Sequence, residues 1–335
     1  MSDDTTRVLV TGASGCIGSV TVRDLLALGA SQVVAASRSG APGSLGLWLE
    51  DLRDPRLAFA AVDVGEREAV LDLVRAMRPT HIVHLGALQS PDCDADPERG
   101  LRVNVGGTLH LLDAAAAAGG LRRFVFASSA AVYGRRDRYP GATVREGDEL
   151  APPNLYGVWK LTGEQLLRQF HERSGVPVVC LRLNTTYGKG RDRGKTSAPT
   201  RAIKAVALGA VSGTPVPFRM PYSGRENYHF VADVGAHFAR CTLDPFAGFG
   251  AFNIRGETVP VAEFLQRIEQ AAAGLGAAAD LGFAEDATDN PFVCDLDESA
   301  IRARFADLPR TALEVGIDAT LRAFLRLAEQ GALPY

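Results

Sequence analysis

The fold class this sequence predicts is α/β: a doubly wound parallel sheet followed by a smaller C-terminal substrate-binding lobe. Three observations carry it. Short β-rich runs alternate with apolar-periodic helical segments through residue 182, the pattern of parallel strands joined by crossover helices. Glycines stand at 12, 15 and 18, between the first such strand and the first helix. That is where a Rossmann-type sheet turns around a dinucleotide. After residue 182 the alternation stops, and a Pro/Gly-rich stretch at 209–224 interrupts the helices.

The first strand is Arg7-Val-Leu-Val-Thr11, and its helix runs to about Leu28. Between them, Gly12 can make the tight turn, Gly15 lets backbone approach a pyrophosphate, and Gly18 lets the helix pack closely. The free N–H groups and positive dipole end of that helix then suit phosphates. Gly12, Ser14, Gly15, Cys16, Ile17 and Gly18 are accordingly expected cofactor contacts.

Gln32-Val-Val-Ala-Ala-Ser37 is the second strand. An acidic residue at its end would hold the adenosine ribose hydroxyls, but Ser37-Arg38 stands there. A hydroxyl and a guanidinium suit a 2′-phosphate, so NADP is favoured over NAD. The other reading of Arg38 is a solvated loop residue, stacked on the adenine of NAD.

Residues 57–64 form a strand ending near Asp63 and Val64, and a helix follows over 66–77. His81-Ile-Val-His-Leu85 is the next strand and runs into Gly86, Ala87 and Gln89. A strand sends His81 and His84 to opposite faces, so they read as packing residues and not as metal ligands. One long helix is expected over 98–118, and a fifth strand over 123–128.

The loop Ser128-Ser-Ala-Ala-Val-Tyr-Gly134 lies at the carboxyl end of that strand, where open α/β sheets bind ligands. An amphipathic helix over 154–171 and a strand over 176–182 complete the alternation. Helices are read near 200–208, 261–273, 297–305 and 313–328, and a strand near 250–254. The dinucleotide-binding domain is thus expected over 1–182 with 226–254 rejoining it, and the cap over 183–225 and 255–335. Gly188-Lys-Gly-Arg-Asp-Arg-Gly-Lys-Thr196 ends like a phosphate-binding P-loop. Counting back from Gly194, however, puts Lys189 where the first glycine must stand.

On the 154–171 helix, Tyr156 and Lys160 are one turn apart and face the same way. A phenol near ~10 is a poor proton carrier at neutral pH, and an adjacent ammonium is the direct means of lowering it. The alternative is a solvated surface pair.

The motifs TGASGCIG, SSAAVYG, YGVWK, LRLNTTYG and YHFVADV, in this order, resemble the extended short-chain dehydrogenase/reductases, in particular the NAD-dependent epimerase/dehydratase family. The resemblance spans nearly the whole chain and is strongest through residue 188. It implies that Tyr156 is the acid/base, Lys160 its partner and ribose anchor, and Ser129 the third catalytic group. It implies adenine contact at Asp63, with Val64, Leu85, Gly86 and Ala87 lining the cofactor. Asn104 would lie near the cofactor, or else act as a polar residue that bends its helix. Substrate contacts are expected at Gln89, Ser129, Ala130, Thr185 and Arg225, and a homodimer through the 98–118 and 154–173 helices.

Departures from the family pattern narrow the reaction. Its dehydratases carry Asp-Glu directly after the catalytic Ser/Thr, where this chain has Ala130-Ala131. Its nucleotide-sugar members place an asparagine where Thr185 stands and an arginine where Glu226 stands, with Asn184 and Arg225 one position off.

Composition bounds the rest. With 46% hydrophobic and 22% charged residues the chain is of ordinary globular type. A net charge of -3 with no basic stripe speaks against nucleic acid or an anionic membrane surface as partner. No apolar run approaches the ~18 residues a spanning helix needs. The acidic, polar opening Met1-Ser-Asp-Asp is not a secretory signal. Five cysteines without C-x-x-C spacing fit reduced thiols in the cytoplasm. The expectation is an NAD(P)-dependent oxidoreductase acting at a secondary alcohol or ketone of a small carbohydrate-like substrate. The alternatives are a nucleotide-sugar epimerase that retains NAD, and a non-catalytic NAD(P)-binding regulatory protein.

Overall fold

The structure, a computed structural model, describes residues 5–333. The opening residues 1–4, on which the absence of a signal was argued, lie outside the described residues. The strands are β1 (Arg7–Thr11), β2 (Gln32–Ser37), β3 (Leu57–Ala61), β4 (His81–His84), β5 (Arg123–Ser129), β6 (Val178–Leu183), β7 (Thr185–Tyr187), β8 (Pro217–Ser223), β9 (Arg225–Phe230), β10 (Phe249–Asn253), β11 (Glu257–Pro260) and β12 (Asp280–Asp289). The first helices are α1 (Cys16–Ala27), α2 (Arg67–Met77), α3 (Ser90–Ala95), α4 (Pro97–Leu101), α5 (Gly107–Ala118) and α6 (Leu155–Ser174). They are followed by α7 (Ala198–Ser212), α8 (Val231–Leu243), α9 (Val261–Gly274), α10 (Ser299–Arg302) and α11 (Leu313–Glu329).

Seven strands form one parallel sheet in the order β10-β6-β5-β4-β1-β2-β3. The expected α/β class with a Rossmann-type, doubly wound sheet is therefore observed. Strand alternation divides its side chains between two cores. Val8, Val10, Val83, Val125 and Leu181 pack under α1 and α8. Leu9, Ile82, Phe124, Phe126 and Cys180 pack under α2, α5 and α6. Chain order reverses between β1 and β4, which opens the ligand crevice of such sheets above their carboxyl ends.

The lobe holds a three-stranded sheet, β11-β9-β7, and the β12-β8 pair, enclosed by α7, α9 and α11 around Tyr187, Tyr228 and Phe264. β10 pairs in parallel with β6, and α8 lies so close to α1 that a Cβ on Gly235 would sit 2.3 Å from Val20.

Three elements differ from the sequence reading. The 209–224 stretch is not a loop throughout, because β8 occupies Pro217–Ser223. Its Pro217 and Pro221 are tolerated because β8 has one partner only, so part of its backbone needs no ladder bond. The helix expected over 98–118 is broken by a π turn at Arg102–Gly106, and the 297–305 helix shrinks to α10. The first break follows from Gly106-Gly107, poor helix formers. A Cβ on Gly107 would also come within 2.7 Å of Val64.

Candidate active site

The nucleotide end of the crevice is built from backbone. Gly12 has φ +70°, and a Cβ there would lie 2.8 Å from the Gly86 nitrogen, so β1 and β4 approach at their ends only without side chains. Gly18 is equally constrained, its missing Cβ 2.3 Å from the Gly12 carbonyl oxygen. Gly15 precedes α1 with no side-chain cap, and no acidic residue occupies the first turn. The α1 N–H groups are thus left for an anion. This cradle fits the pyrophosphate of a dinucleotide.

The Ser14 carbonyl accepts from Ser44 N–H at 2.9 Å, which ties the glycine loop to the loop after β2. Cys16 is buried, and that burial pushes its thiol up to about 12, so it is a packing residue and no nucleophile. Ile17 is half-buried and packs against the sheet core. Ser37 is buried and Arg38 is exposed at the end of β2. Asp63 accepts from Gly65 N–H at 2.9 Å, and buried Val64 lies against Gly107. Leu85 and Gly86 hang from Thr11 through bonds of 3.2 and 3.3 Å, and Ala87 follows, half-buried. Asn104 lies in the π turn and grips Leu88, accepting from its N–H at 2.8 Å and donating to its carbonyl at 3.0 Å. It holds the wall of the crevice.

At the other end, Ser129 closes β5 while Tyr156 and Lys160 come from α6. Asn154 caps α6 by accepting from Gly157 N–H at 2.9 Å. A Cβ on Gly157 would stand 2.1 Å from the Ala131 carbonyl oxygen. Glycine there lets the first turn of α6 dock on the loop after β5, and this sets the Tyr156 phenol beside the Ser129 hydroxyl. The Ser129 hydroxyl also accepts from Ala131 N–H at 3.1 Å. Lys160 is buried, donates to the Ala127 carbonyl at 2.7 Å and sits 5.6 Å from the Tyr156 ring centroid.

The electrostatics differ from the expectation of a phenol lowered by Lys160. Burial raises the phenol above its usual value, opposed first by the Ser129 hydrogen bond and then by the Arg191 charge. Lys160 is itself pushed down to about 8 by burial. Its ammonium points at a backbone carbonyl beneath the ring, so its effect on the phenol is small in this arrangement.

Behind the trio lies a polar network. Ser128 donates to Glu164 at 2.5 Å, and Glu164 receives Arg182 through bonds of 2.9 and 2.8 Å. Arg182 reaches the Tyr133 hydroxyl at 2.6 Å, and Tyr133 donates to Asn253 at 2.8 Å. Burial, the largest single influence, opposes the Arg182 charge, but the hydrogen bonds and charge of Glu164 together with Tyr133 outweigh it and hold the guanidinium above its usual value. Burial pushes the Tyr133 phenol up to about 12. Sequence reasoning missed these residues. The available signal was Glu164, one turn beyond Lys160 on the same helix face.

On the substrate side, Ala130 is buried beneath the loop and half-buried Gln89 accepts from Arg191 at 3.4 Å. Thr185 is buried in β7 with its hydroxyl near the Glu226 carboxylate of β9. Thus the two positions that depart from the nucleotide-sugar pattern meet. Arg225, one residue earlier on the strand, faces the other way and pairs at 3.7 Å with Asp295 at the exposed side. The segment resembling a P-loop is a strap turned by positive φ at Gly188, Gly190 and Gly194. Its Gly190 packs on Ser44 and Cys16, and its Gly194 on Gln89.

A Rossmann-type sheet whose carboxyl edge carries a glycine cradle at one end and a Ser/Tyr/Lys cluster at the other defines an NAD(P)-dependent enzyme of the extended short-chain dehydrogenase type. The chain belongs to the NAD dependent epimerase/dehydratase family, whose model matches residues 8–254. It is 27% identical over 341 residues to the dTDP-glucose 4,6-dehydratase of Neisseria meningitidis, covering 95% of this chain and 93% of that one. It is also 27% identical over 242 residues to a trifunctional UDP-glucose 4,6-dehydratase, 3,5-epimerase and reductase of Arabidopsis thaliana, matching 70% of this chain but only 35% of that protein's length. Among solved structures, the UDP-glucose 4-epimerase of Thermus thermophilus in complex with NAD superposes with a TM-score of 0.78 at 28% identity. That match covers 98% of this chain and 100% of that one.

Proposed function

We propose that this chain transfers hydride at a secondary alcohol or ketone of a small carbohydrate-like substrate, with Ser129, Tyr156 and Lys160 as the working groups. The observation that carries this reading is the placement of Ser129 at the carboxyl end of β5 beside Tyr156 and Lys160 on the first turns of α6, on the sheet edge that also bears the Gly12–Gly86 crevice. A bound nicotinamide supplies the hydride acceptor or donor. Ser129 holds the carbinol oxygen, and Tyr156 takes or gives its proton.

A shift from ~10 to ~7 requires about 4 kcal/mol of differential stabilisation. Because burial raises this phenol, the demand on nearby positive charge is larger here. Arg191 is one contributor, and Lys160 a second once its ammonium turns from Ala127 toward the ring. Ala130 and Ala131 place no titratable group after Ser129, which leaves the acid/base pair of a 4,6-dehydration without a counterpart.

Exposed Arg38 beside buried Ser37 supports NADP as the preferred dinucleotide, held at Gly12, Gly15, Gly18 and the Asp63 and Leu85–Ala87 loops. The domain division proposed is 1–182 with 226–254, against 183–225 with 255–335. Half-exposed Leu101 and Leu109 on α4 and α5 (45% and 41%) support a homodimer through this face, which sedimentation measures directly. The second reading, a nucleotide-sugar epimerase retaining NAD, has its support in the dehydratase and epimerase relatives. Protein purified without added cofactor separates the two. Empty protein that binds NADP more tightly than NAD supports net redox; stoichiometric NAD released on denaturation overturns it in favour of epimerisation.

A further inference from the structure

Arg191, in the strap, meets Gln89 beyond the end of β4, and its hydrogen-bond capacity is not filled. Nη2 donates to Thr196 at 2.6 Å and to Gln89 at 3.4 Å, while Nε is buried with no acceptor among the described residues. Its neighbour Asp192 is taken by Lys204 Nζ at 2.6 Å, and no described carboxylate pairs with Arg191. A buried, uncompensated guanidinium donor is costly unless something else completes it.

Its surroundings say where that partner comes from. The strap is pinned on one side by Gly190 against Ser44 and Cys16, and on the other by Gly194 against Gln89. Arg191 therefore stands between the glycine loop and the end of β4. Its charge is felt by the thiol of Cys16, the phenol of Tyr156 and the phenol of Tyr222 in the lobe. These three groups stand on α1, α6 and β8.

We propose that Arg191 is a substrate-specificity residue that receives a carboxylate of the substrate on its Nε–Nη2 edge, the long 3.4 Å bond from Nη2 to Gln89 giving way to the incoming oxygen. The preferred substrate is then a sugar acid and not its neutral counterpart. The planar donor edge of a guanidinium matches a carboxylate in two bonds. The proposal rests on the redox reading of Tyr156, and it holds for a free sugar acid and for a nucleotide-linked one. An oxyanion of the dinucleotide pyrophosphate shares this chemistry, and the same experiment distinguishes it.

The test uses matched pairs as probes: aldonates of four to six carbons against the corresponding alditols, and UDP-glucuronic acid against UDP-glucose, each with NAD and NADP. Wild-type protein turns over the acid of at least one pair in preference to its neutral partner. In Arg191→Gln the KM for that acid rises on the order of 10- to 100-fold, while the KM of the neutral partner and the dinucleotide Kd change less than about 2-fold; kcat falls for acid and neutral alike, because the Tyr156 phenol loses a charge that lowers it. Arg191→Lys recovers part of the loss. Unchanged dinucleotide affinity also reports that the variant is folded.

A neutral probe preferred by the wild type overturns the proposal while leaving the redox reading intact. So does an equal KM rise for acid and neutral probes, and a loss confined to dinucleotide affinity would instead assign Arg191 to the pyrophosphate. No turnover of any pair with either dinucleotide overturns the redox reading itself, and this proposal with it.

Discussion

Glu226 offers a test of the lobe that does not depend on knowing the substrate. The side chain is 5% exposed on β9. Its carboxylate accepts from Asn227 N–H and Asn290 Nδ2, both at 2.8 Å, with the Thr185 hydroxyl nearby. Burial, the dominant cause, nevertheless raises it from 4.5 to about 7. The folded chain therefore holds a proton that the unfolded chain has released between about pH 4.5 and 7. Stability falls as pH rises through that window, by about 1.4 kcal/mol per unit, and the loss is complete above it.

The cumulative penalty at pH 8 is about 3 kcal/mol as a ceiling. Glu226→Gln removes the charge and keeps the shape. Thr185 can reverse its hydroxyl and Asn290 its amide to meet the new N–H₂ group. The variant is expected to be more stable than wild type by about 1–3 kcal/mol at pH 8, with the difference down to about a quarter of that at pH 5 and gone below about pH 4. Urea unfolding at four pH values between 4.5 and 8 measures it. A gap that does not change with pH, or a wild type stabilised by rising pH relative to the variant, would refute the reasoning.

Further predictions follow from the site. Tyr156→Phe is expected to lower kcat by at least about 10³-fold with dinucleotide affinity within 2-fold. Wild-type turnover would remove the tyrosine from the mechanism. Ser129→Ala should lower kcat by about 10–100-fold through loss of one donor to the reacting oxygen; an effect on KM alone would make it a binding residue. Glu164→Leu leaves Arg182 buried and unpaired, a loss of about 3–5 kcal/mol. The double variant with Arg182→Leu should recover much of that in a denaturation midpoint, and additive losses would show that the pair is not coupled.

The features legible from sequence are those written in local spacing. Glycines at 12, 15 and 18 between a strand and a helix carry their geometry with them, because a tight turn and a helix N-terminus are built within a few residues. Strand and helix periodicity gave the seven-stranded sheet for the same reason, and Tyr156 and Lys160 share a helix face by turn arithmetic alone. β8 escaped because its Pro217 and Pro221 are permitted by an edge position, which is a property of pairing and not of composition.

What the sequence by itself determined is the class of fold, the glycine turn between β1 and α1 and the helix that carries Tyr156 and Lys160. Only the tertiary structure decided the electrical state of these groups. Lys160 was expected to lower the phenol, yet its ammonium is bound by the Ala127 carbonyl and its own value falls to about 8 on burial. Thr185 and Glu226 read as two separate departures and lie side by side on β7 and β9. Arg191 belonged to a segment set aside for its wrong spacing, and the fold lays it across the crevice. Desolvation and long-range charge depend on what surrounds a group in three dimensions, and residues distant in the chain supply those surroundings.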